Sequence, residues 1–362
     1  MGNIHIHSAL SGVTSLLDGD VYVVMDNNLK HLSGYFNKCN IIFTETSEQL
    51  KTLQSVSDIA CRLLESGADR NAFIIGVGGG ITTDVTGFVA SIYKRGVKFA
   101  FVPTTLLAQV DASIGGKNGV NLESYKNILG VINQPQWVYI CSEVLRSLSP
   151  AEFRAGVAEV LKTFILFDKE YYKKAVDYFT ETEEYLQKNG SYLSSENLNK
   201  FYKEEVLLDI IGRCAEYKSG VVKRDEFERG ERRLLNLGHT FAHSIEKVCS
   251  NLTDYFPIMH GEAVAIGMVM AAKIAVKYFK TDGAFARRLI SDITRCGLPV
   301  KVPCSRAGEL IPVKELTDAL KKDKKVAGDA IHFILPKDVA DVEDVLISLK
   351  DVEEMSNDLC EC

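Results

Sequence analysis

The sequence predicts an α/β N-terminal domain with a parallel sheet, followed by a mostly α-helical C-terminal domain that binds a metal. Three observations carry this prediction. Short β-rich runs alternate with helical patterns through the first 149 residues, and a glycine run, IIGVGGGITTD, lies where a strand gives way to a helix. Three of the seven histidines, His239, His243 and His260, fall in one short stretch of a region dominated by helical periodicity.

At 362 residues the chain exceeds what one hydrophobic core usually organises, which points to two domains. An apolar fraction of 46% and a charged fraction of 25% are those of an ordinary globular protein, with no apolar run long enough to span a bilayer. The N-terminus, MGNIHIHSALSG, has no basic region followed by an apolar one, so a cytoplasmic location is expected. It also misses the myristoylation pattern, because Ile6 stands where Ser or Thr is needed. The nine cysteines are odd in number and scattered. Cys61, Cys141, Cys214, Cys249 and Cys296 lie in apolar or helical patterns, as small buried residues of a reducing compartment do, and Cys360 and Cys362 form an isolated tail pair. A net charge of −6 argues against general nucleic-acid binding and leaves room for a local basic pocket.

In chain order, VYVVM (Val21 to Met25), NIIFTE, a helix from Glu48 to Glu65, FIIGVG, a helix after Gly80, and FAFVP give the βαβ rhythm of a parallel sheet. After Trp137 to Ile140, helical windows dominate from Ala151 to Ile293, with a late β run at Ala330 to Leu335. Pro150 suits a helix's first turn and restricts Ser149, placing the boundary between domains 1–149 and 150–362. The polar segment Thr180 to Lys200 is expected to be a solvated helix and loop.

The glycine run follows a strand and opens a helix, the context in which backbone N–H groups approach a pyrophosphate. Ile81 stands where the last glycine of G-x-G-x-x-G would be, so the run alone fits a tight turn as well as a nucleotide. Asp26 at the end of a β run, with Glu48 and Lys51 at the next helix, could grip ribose and phosphate. Lys117 and Lys126 in VDASIGGKNGVNLESYKN suit a loop closing over an anion, and Arg95 adds a cation that calls for an anionic partner. His239 and His243 are four residues apart on one helical face, a spacing known in zinc sites, and a carboxylate can supply a further ligand. Glu159, within the apolar run GVAEVLKTFI, is the best carboxylate candidate, since its burial needs compensation; simple pairing with Lys162 one turn later is the alternative. In YKSGVVKRDEFERGERRLLNLGH, Lys218, Arg232 and Asn236 could line a site for phosphate and carboxylate, while Lys223, Arg224 and Arg229 read as solvated.

Together, GVGGGITTDVTGFVASIYKRG, VPTTLLAQVDASIGGKNGVN, RAGVAEVLK, ERRLLNLGHTFAHSIE and HGEAVAIGMVMAAK resemble the 3-dehydroquinate synthase family, in order, from Asp26 to Lys324. The resemblance implies an NAD-binding α/β domain, a helical metal domain and an active site in the cleft between them. It implies zinc, with cobalt as the alternative metal, on Glu159, His239 and His260, and moves His243 from the metal to the catalytic residues. Implied NAD contacts are Asp26, Glu48, Lys51, Gly79, Gly80, Asp84, Thr104, Thr105 and Lys126. Implied substrate contacts are Arg95, Asp111, Lys117, Asn127, Lys162, Lys218, Arg232, Asn236 and Lys324, with Lys117, Lys162, Lys218, Arg232 and Asn236 also counted as catalytic. Glu228 and His243 match positions with proton-transfer duty, and Arg95 is implied to reach a neighbouring subunit's site, hence a homodimer. Two departures stand out: Thr83 replaces a glycine before the aspartate, placing a side chain near the expected pyrophosphate, and Asn118 stands where threonine is usual.

The implied reaction is that of a phosphate-eliminating lyase of the shikimate pathway, leading to chorismate and aromatic amino acids. 3-Deoxy-D-arabino-heptulosonate 7-phosphate, a phosphorylated sugar acid, becomes 3-dehydroquinate and phosphate through transient NAD oxidation, elimination, re-reduction, ring opening and aldol closure. Alternatives are a sugar phosphate cyclase acting on sedoheptulose 7-phosphate or glucose 6-phosphate, a metal-dependent polyol dehydrogenase, and a silent scaffold that binds NAD and zinc. Retention of Lys218, Arg232, Asn236 and His243 favours the carboxylated substrate.

Overall fold

The computed structural model describes residues 2–123, 125–189, 204–251, 255, 257–305, 311, 313–320, 326–327 and 330–356. The chain divides into two compact units, Met1–Ser149 with Leu193–Phe227, and Pro150–Tyr192 with Glu228–Cys362.

The first unit is built on a six-stranded sheet in the order β1-β8-β5-β4-β2-β3, comprising β1 (Asn3–His7), β2 (Val21–Asp26), β3 (Asn40–Thr44), β4 (Phe73–Gly78), β5 (Lys98–Pro103) and β8 (Trp137–Cys141). Every pairing in it is parallel. The runs FIIGVG and FAFVP are buried almost throughout, as strands covered on both faces must be. Val23, Met25, Ile75, Val77, Ala100, Val102 and Tyr139 pack together with Phe36 and Leu10 in one core cluster. Each fully buried large side chain there contributes about 1.5–3 kcal/mol by leaving water.

Three features of this unit depart from the sequence expectation. The helix expected from Glu48 to Glu65 is two elements, a turn at Glu48–Leu50 and a helix at Leu53–Glu65. Thr52 caps the second by accepting from the Ser55 N–H, and Lys51 between them is non-helical, which lets its side chain turn inward. The lysine-bearing loop is an antiparallel hairpin of β6 (Lys117–Leu122) and β7 (Tyr125–Ile132). The helix Glu204–Arg224, expected in the second domain, belongs to the first unit, where Lys218 Nζ reaches Asp111 and Ser142 Oγ donates to Glu204.

The second unit centres on two helices, Pro150–Phe167 and His260–Phe279, buried along most of their lengths. Gly261 lets them touch, because a Cβ there would lie 2.0 Å from the Ala155 carbonyl oxygen. The helix His239–Asn251 packs on the second of them, as does a three-stranded sheet of β9 (Val326–Ala327), β10 (Ala330–Asp338) and β11 (Asp341–Ser348). The segment from Thr180, expected to be solvated, is not so at its start. The helix Lys169–Asn189 buries Thr180, Thr182 and Glu183, and Glu183 takes both arms of the Arg154 guanidinium at 2.8 and 2.9 Å. The rest of that segment, the tail cysteines and Lys324 lie outside the described residues. Among the described residues no helix is long and apolar enough to cross a membrane.

Candidate functional site

In the first unit the chain leaves β2 for β3 on one side and returns to β4 on the other. Such a reversal opens a crevice beyond the carboxyl ends of β2 and β4, the favoured ligand position of an open parallel sheet. Asp26 ends β2, Gly78 ends β4, Gly79 caps the helix Gly80–Ile92, and Thr104 and Thr105 follow β5. The Thr104 N–H donates to the Gly78 carbonyl, joining the two turns. A Cβ on Gly79 would lie 3.1 Å from Thr105 Cγ2, so the turn is a cradle that side chains would fill. Thr83 does not obstruct it. That side chain is buried, and its hydroxyl donates back to the Gly80 carbonyl at 2.9 Å, so the expected intrusion on the pyrophosphate approach is absent. Asn118 is buried as well, its amide donating to the Gly116 and Asn133 carbonyls at the base of the hairpin.

Beside this edge, Lys51 is 4% exposed and its Nζ lies 2.5 Å from Asp84 Oδ2 and 2.6 Å from Asn127 Oδ1. Burial pushes the Asp84 carboxyl above its ordinary value, and the Lys51 ammonium opposes that rise. Glu48 Oε1 accepts from Asn121 Nδ2 at 2.8 Å, and Asn121 Oδ1 accepts from the Asn127 N–H. One asparagine thus ties Glu48 to Asn127, and through Asn127 to Lys51 and Asp84. The Asp26 carboxylate accepts from the Asn28 N–H and the Thr46 hydroxyl. Lys218 Nζ contacts Asp111 at both its carbonyl and Oδ1, at 2.6 and 2.7 Å, so these two predicted residues meet as an ion pair. Lys117 and Lys126 are exposed on the hairpin.

Arg95 is not brought to this edge. It follows the helix Gly80–Ile92 and precedes β5, at the opposite end of the strands, where it lines a cavity of about 520 Å³ with Asp69, Arg70, Asn71 and Lys94. Lys94 and Arg95 both have positive φ, 48° and 73°, a strained turn that presents Arg95 outward.

In the second unit Glu159 comes from the helix Pro150–Phe167, His239 from the start of the helix His239–Asn251, and His260 from the start of His260–Phe279. Their donor atoms form the one potential metal-binding group among the described residues. Glu159 is fully buried, with Oε1 3.6 Å from His239 Nε2 and 3.3 Å from His260 Nε2. Tetrahedral coordination with bonds of about 2.0–2.2 Å sets donor atoms about 3.3–3.6 Å apart, so the two Glu159–imidazole spacings fit a zinc-sized ion. The Nδ1 atoms face acceptors, Leu237 O at 3.2 Å from His239 and Glu246 Oε1 at 3.4 Å from His260, which turns both Nε2 lone pairs inward. The other Glu159 oxygen lies 2.5 Å from the buried Lys162 ammonium, so pairing with Lys162 occupies one oxygen and leaves Oε1 facing the two imidazoles. His243, which spacing alone pairs with His239, is exposed with its ring edge-on to that of His239 at 5.7 Å, outside the ligand group.

Glu228 and Asn236 also meet, Asn236 Nδ2 donating to Glu228 Oε1 at 2.6 Å, and Glu228 holds a positive φ of 58°. Arg232 is 2% exposed on the turn between them. Two residues escaped the sequence reading. Asn121 carried no signal beyond its place in a glycine-rich loop. Glu246 did carry one, since seven residues after His239 put it two helical turns along the same face.

Two family models match the chain in succession. Residues 41–155 match the family model "3-dehydroquinate synthase N-terminal" and residues 156–326 match "3-dehydroquinate synthase C-terminal". The 3-dehydroquinate synthase of Sulfurovum sp. (strain NBC37-1) is 39% identical over 325 residues, 87% of this chain and 83% of that protein. Among solved structures, ValA, a 2-epi-5-epi-valiolone synthase from Streptomyces hygroscopicus subsp. jinggangensis 5008 with NAD+ and Zn2+ bound, has a TM-score of 0.81 at 24% identity, covering 99% of this chain and 96% of that one. A 2-deoxy-scyllo-inosose synthase complexed with carbaglucose-6-phosphate, NAD+ and Co2+ has a TM-score of 0.78 at 23% identity over the same shares, a likeness of fold.

Proposed function

The chain belongs to the 3-dehydroquinate synthase family, and from that premise we propose that it converts 3-deoxy-D-arabino-heptulosonate 7-phosphate to 3-dehydroquinate and phosphate, using NAD and zinc or cobalt. The observation that carries the reading is the convergence of Glu159 Oε1 on two imidazole nitrogens at distances a tetrahedral ion requires. NAD, when bound, would supply a transient oxidation that acidifies the hydrogen next to the oxidised carbon, and the metal would supply Lewis acidity at the substrate's vicinal oxygens.

The chain's own residues would bind, orient and exchange protons. Glu159, His239 and His260 would hold the metal. Asp26, Glu48, Lys51, Asp84, Gly79, Gly80, Thr104, Thr105 and Lys126 would hold the dinucleotide, with the glycine cradle admitting its pyrophosphate. Lys162, buried against Glu159, keeps its ammonium beside the metal ligands, where it would stabilise a substrate oxygen that gains negative charge. Lys117, Lys218, Arg232, Asn236, Asn127, Asp111 and Lys324 would orient a substrate bearing both a carboxylate and a phosphate, for which charge-assisted hydrogen bonds set geometry as well as attraction. Glu228, held by Asn236, and the exposed imidazole of His243 would carry protons. The placement of Arg95 away from the dinucleotide edge supports its service to a second copy of the chain, hence a homodimer. We place the enzyme in the cytoplasm.

Purified protein offered the heptulosonate phosphate, sedoheptulose 7-phosphate and glucose 6-phosphate should release phosphate from the first. Release should need only catalytic NAD and stop when the metal is chelated. Stoichiometric NADH accumulation would instead mark a dehydrogenase.

A further inference from the structure

The helix His239–Asn251 buries a second carboxylate, Glu246, at 6% exposure. A carboxylate removed from water needs a positive or hydrogen-bonding partner. In the same unit Glu183 faces the Arg154 guanidinium, and Glu246 turns Oε1 toward Nδ1 of His260, at 3.4 Å. The opposite ring nitrogen, Nε2, faces Glu159 Oε1 at 3.3 Å. The imidazole of His260 therefore stands between two buried carboxylates, one on the metal side and one behind it. The two histidine ligands are backed differently: His239 Nδ1 faces the neutral carbonyl of Leu237, and His260 faces a charge.

We propose that Glu246 is a positioning residue for the metal, fixing His260 with Nδ1–H toward its own carboxylate and Nε2 toward the ion, and making His260 the stronger electron donor of the two imidazoles. A carboxylate behind a ligating imidazole sets ring orientation and tautomer and raises ligand basicity. This inference rests on the metal reading above.

The test measures zinc affinity of the metal-free full chain by competition with a chromophoric chelator, for the parent, Glu246→Gln, Glu246→Ala, His260→Ala and the double variant Glu246→Gln/His260→Ala. Glu246→Gln should bind zinc about 10-fold more weakly and Glu246→Ala about 100-fold more weakly. In the His260→Ala background Glu246→Gln should have no further effect, because the carboxylate acts through that ring. The cobalt-loaded Glu246→Gln protein should show shifted d–d absorption, and its metal-free form should melt with the parent. Zinc affinity within twofold of the parent, or an equal loss with and without His260, overturns the proposal while leaving the metal site standing. A parent chain that binds no zinc overturns both.

Discussion

Replacing Gly261 with alanine tests how the metal centre is assembled, because this residue adjoins His260 and sits where two helices touch. A Cβ at this position would lie 2.0 Å from the Ala155 carbonyl oxygen and 2.4 Å from the Ala155 Cα, all backbone that cannot rotate away. The helices would have to part by about 1.4 Å before that contact reached the ordinary 3.4 Å. Overpacking of this kind costs about 3 kcal/mol. For a unit of this size about 2–4 °C is lost per kcal/mol, so melting should fall by about 6–12 °C. The same displacement separates His260 from Glu159, whose donor atoms stand 3.3 Å apart, whereas metal bonds tolerate errors of about 0.2 Å. Zinc affinity should therefore drop by at least about 10-fold. Thermal melts of metal-free protein and chelator competition read the two effects separately. Unchanged melting together with parental zinc affinity would refute the claim that this close helix contact sets the ligand spacing.

Lys162→Ala strips Glu159 of its cation, and breaking a buried pair costs about 3–5 kcal/mol, so the metal-free variant should melt lower than the parent. Zinc should restore more stability to it than to the parent while turnover stays lost, and full activity would reject the role assigned to Lys162. His239→Ala should abolish tight zinc binding and His243→Ala should keep it; equal losses in a chelator competition would put His243 among the ligands. Asn121→Ala removes the hydrogen bonds that join Glu48 to Asn127, and losing a hydrogen bond to a charged group costs about 1.5–3 kcal/mol. NAD should then bind about 10-fold more weakly in a fluorescence titration, with zinc affinity unchanged, and parental NAD affinity would remove Asn121 from the site.

Much of this protein could be read from its residues. The buried strands FIIGVG and FAFVP announced a parallel sheet because strands covered on both faces must be apolar throughout, and the glycine run marked the turn because only glycine leaves the backbone approachable. Chemically distinctive types, the histidines and the glutamate in an apolar run, announced a metal centre, and family resemblance assigned the ligands. Spacing along one helix could not. It paired His239 with His243, whereas the group that could hold a metal takes His260 from another helix, held close by Gly261. Nor could sequence show that the helix Glu204–Arg224 joins the first unit, that Asn121 gathers Glu48 and Asn127, or that Glu246 backs His260. Local chemistry is written in residue type and period, but these are contacts between elements far apart in the chain, and packing alone decides which of the many available polar side chains meet.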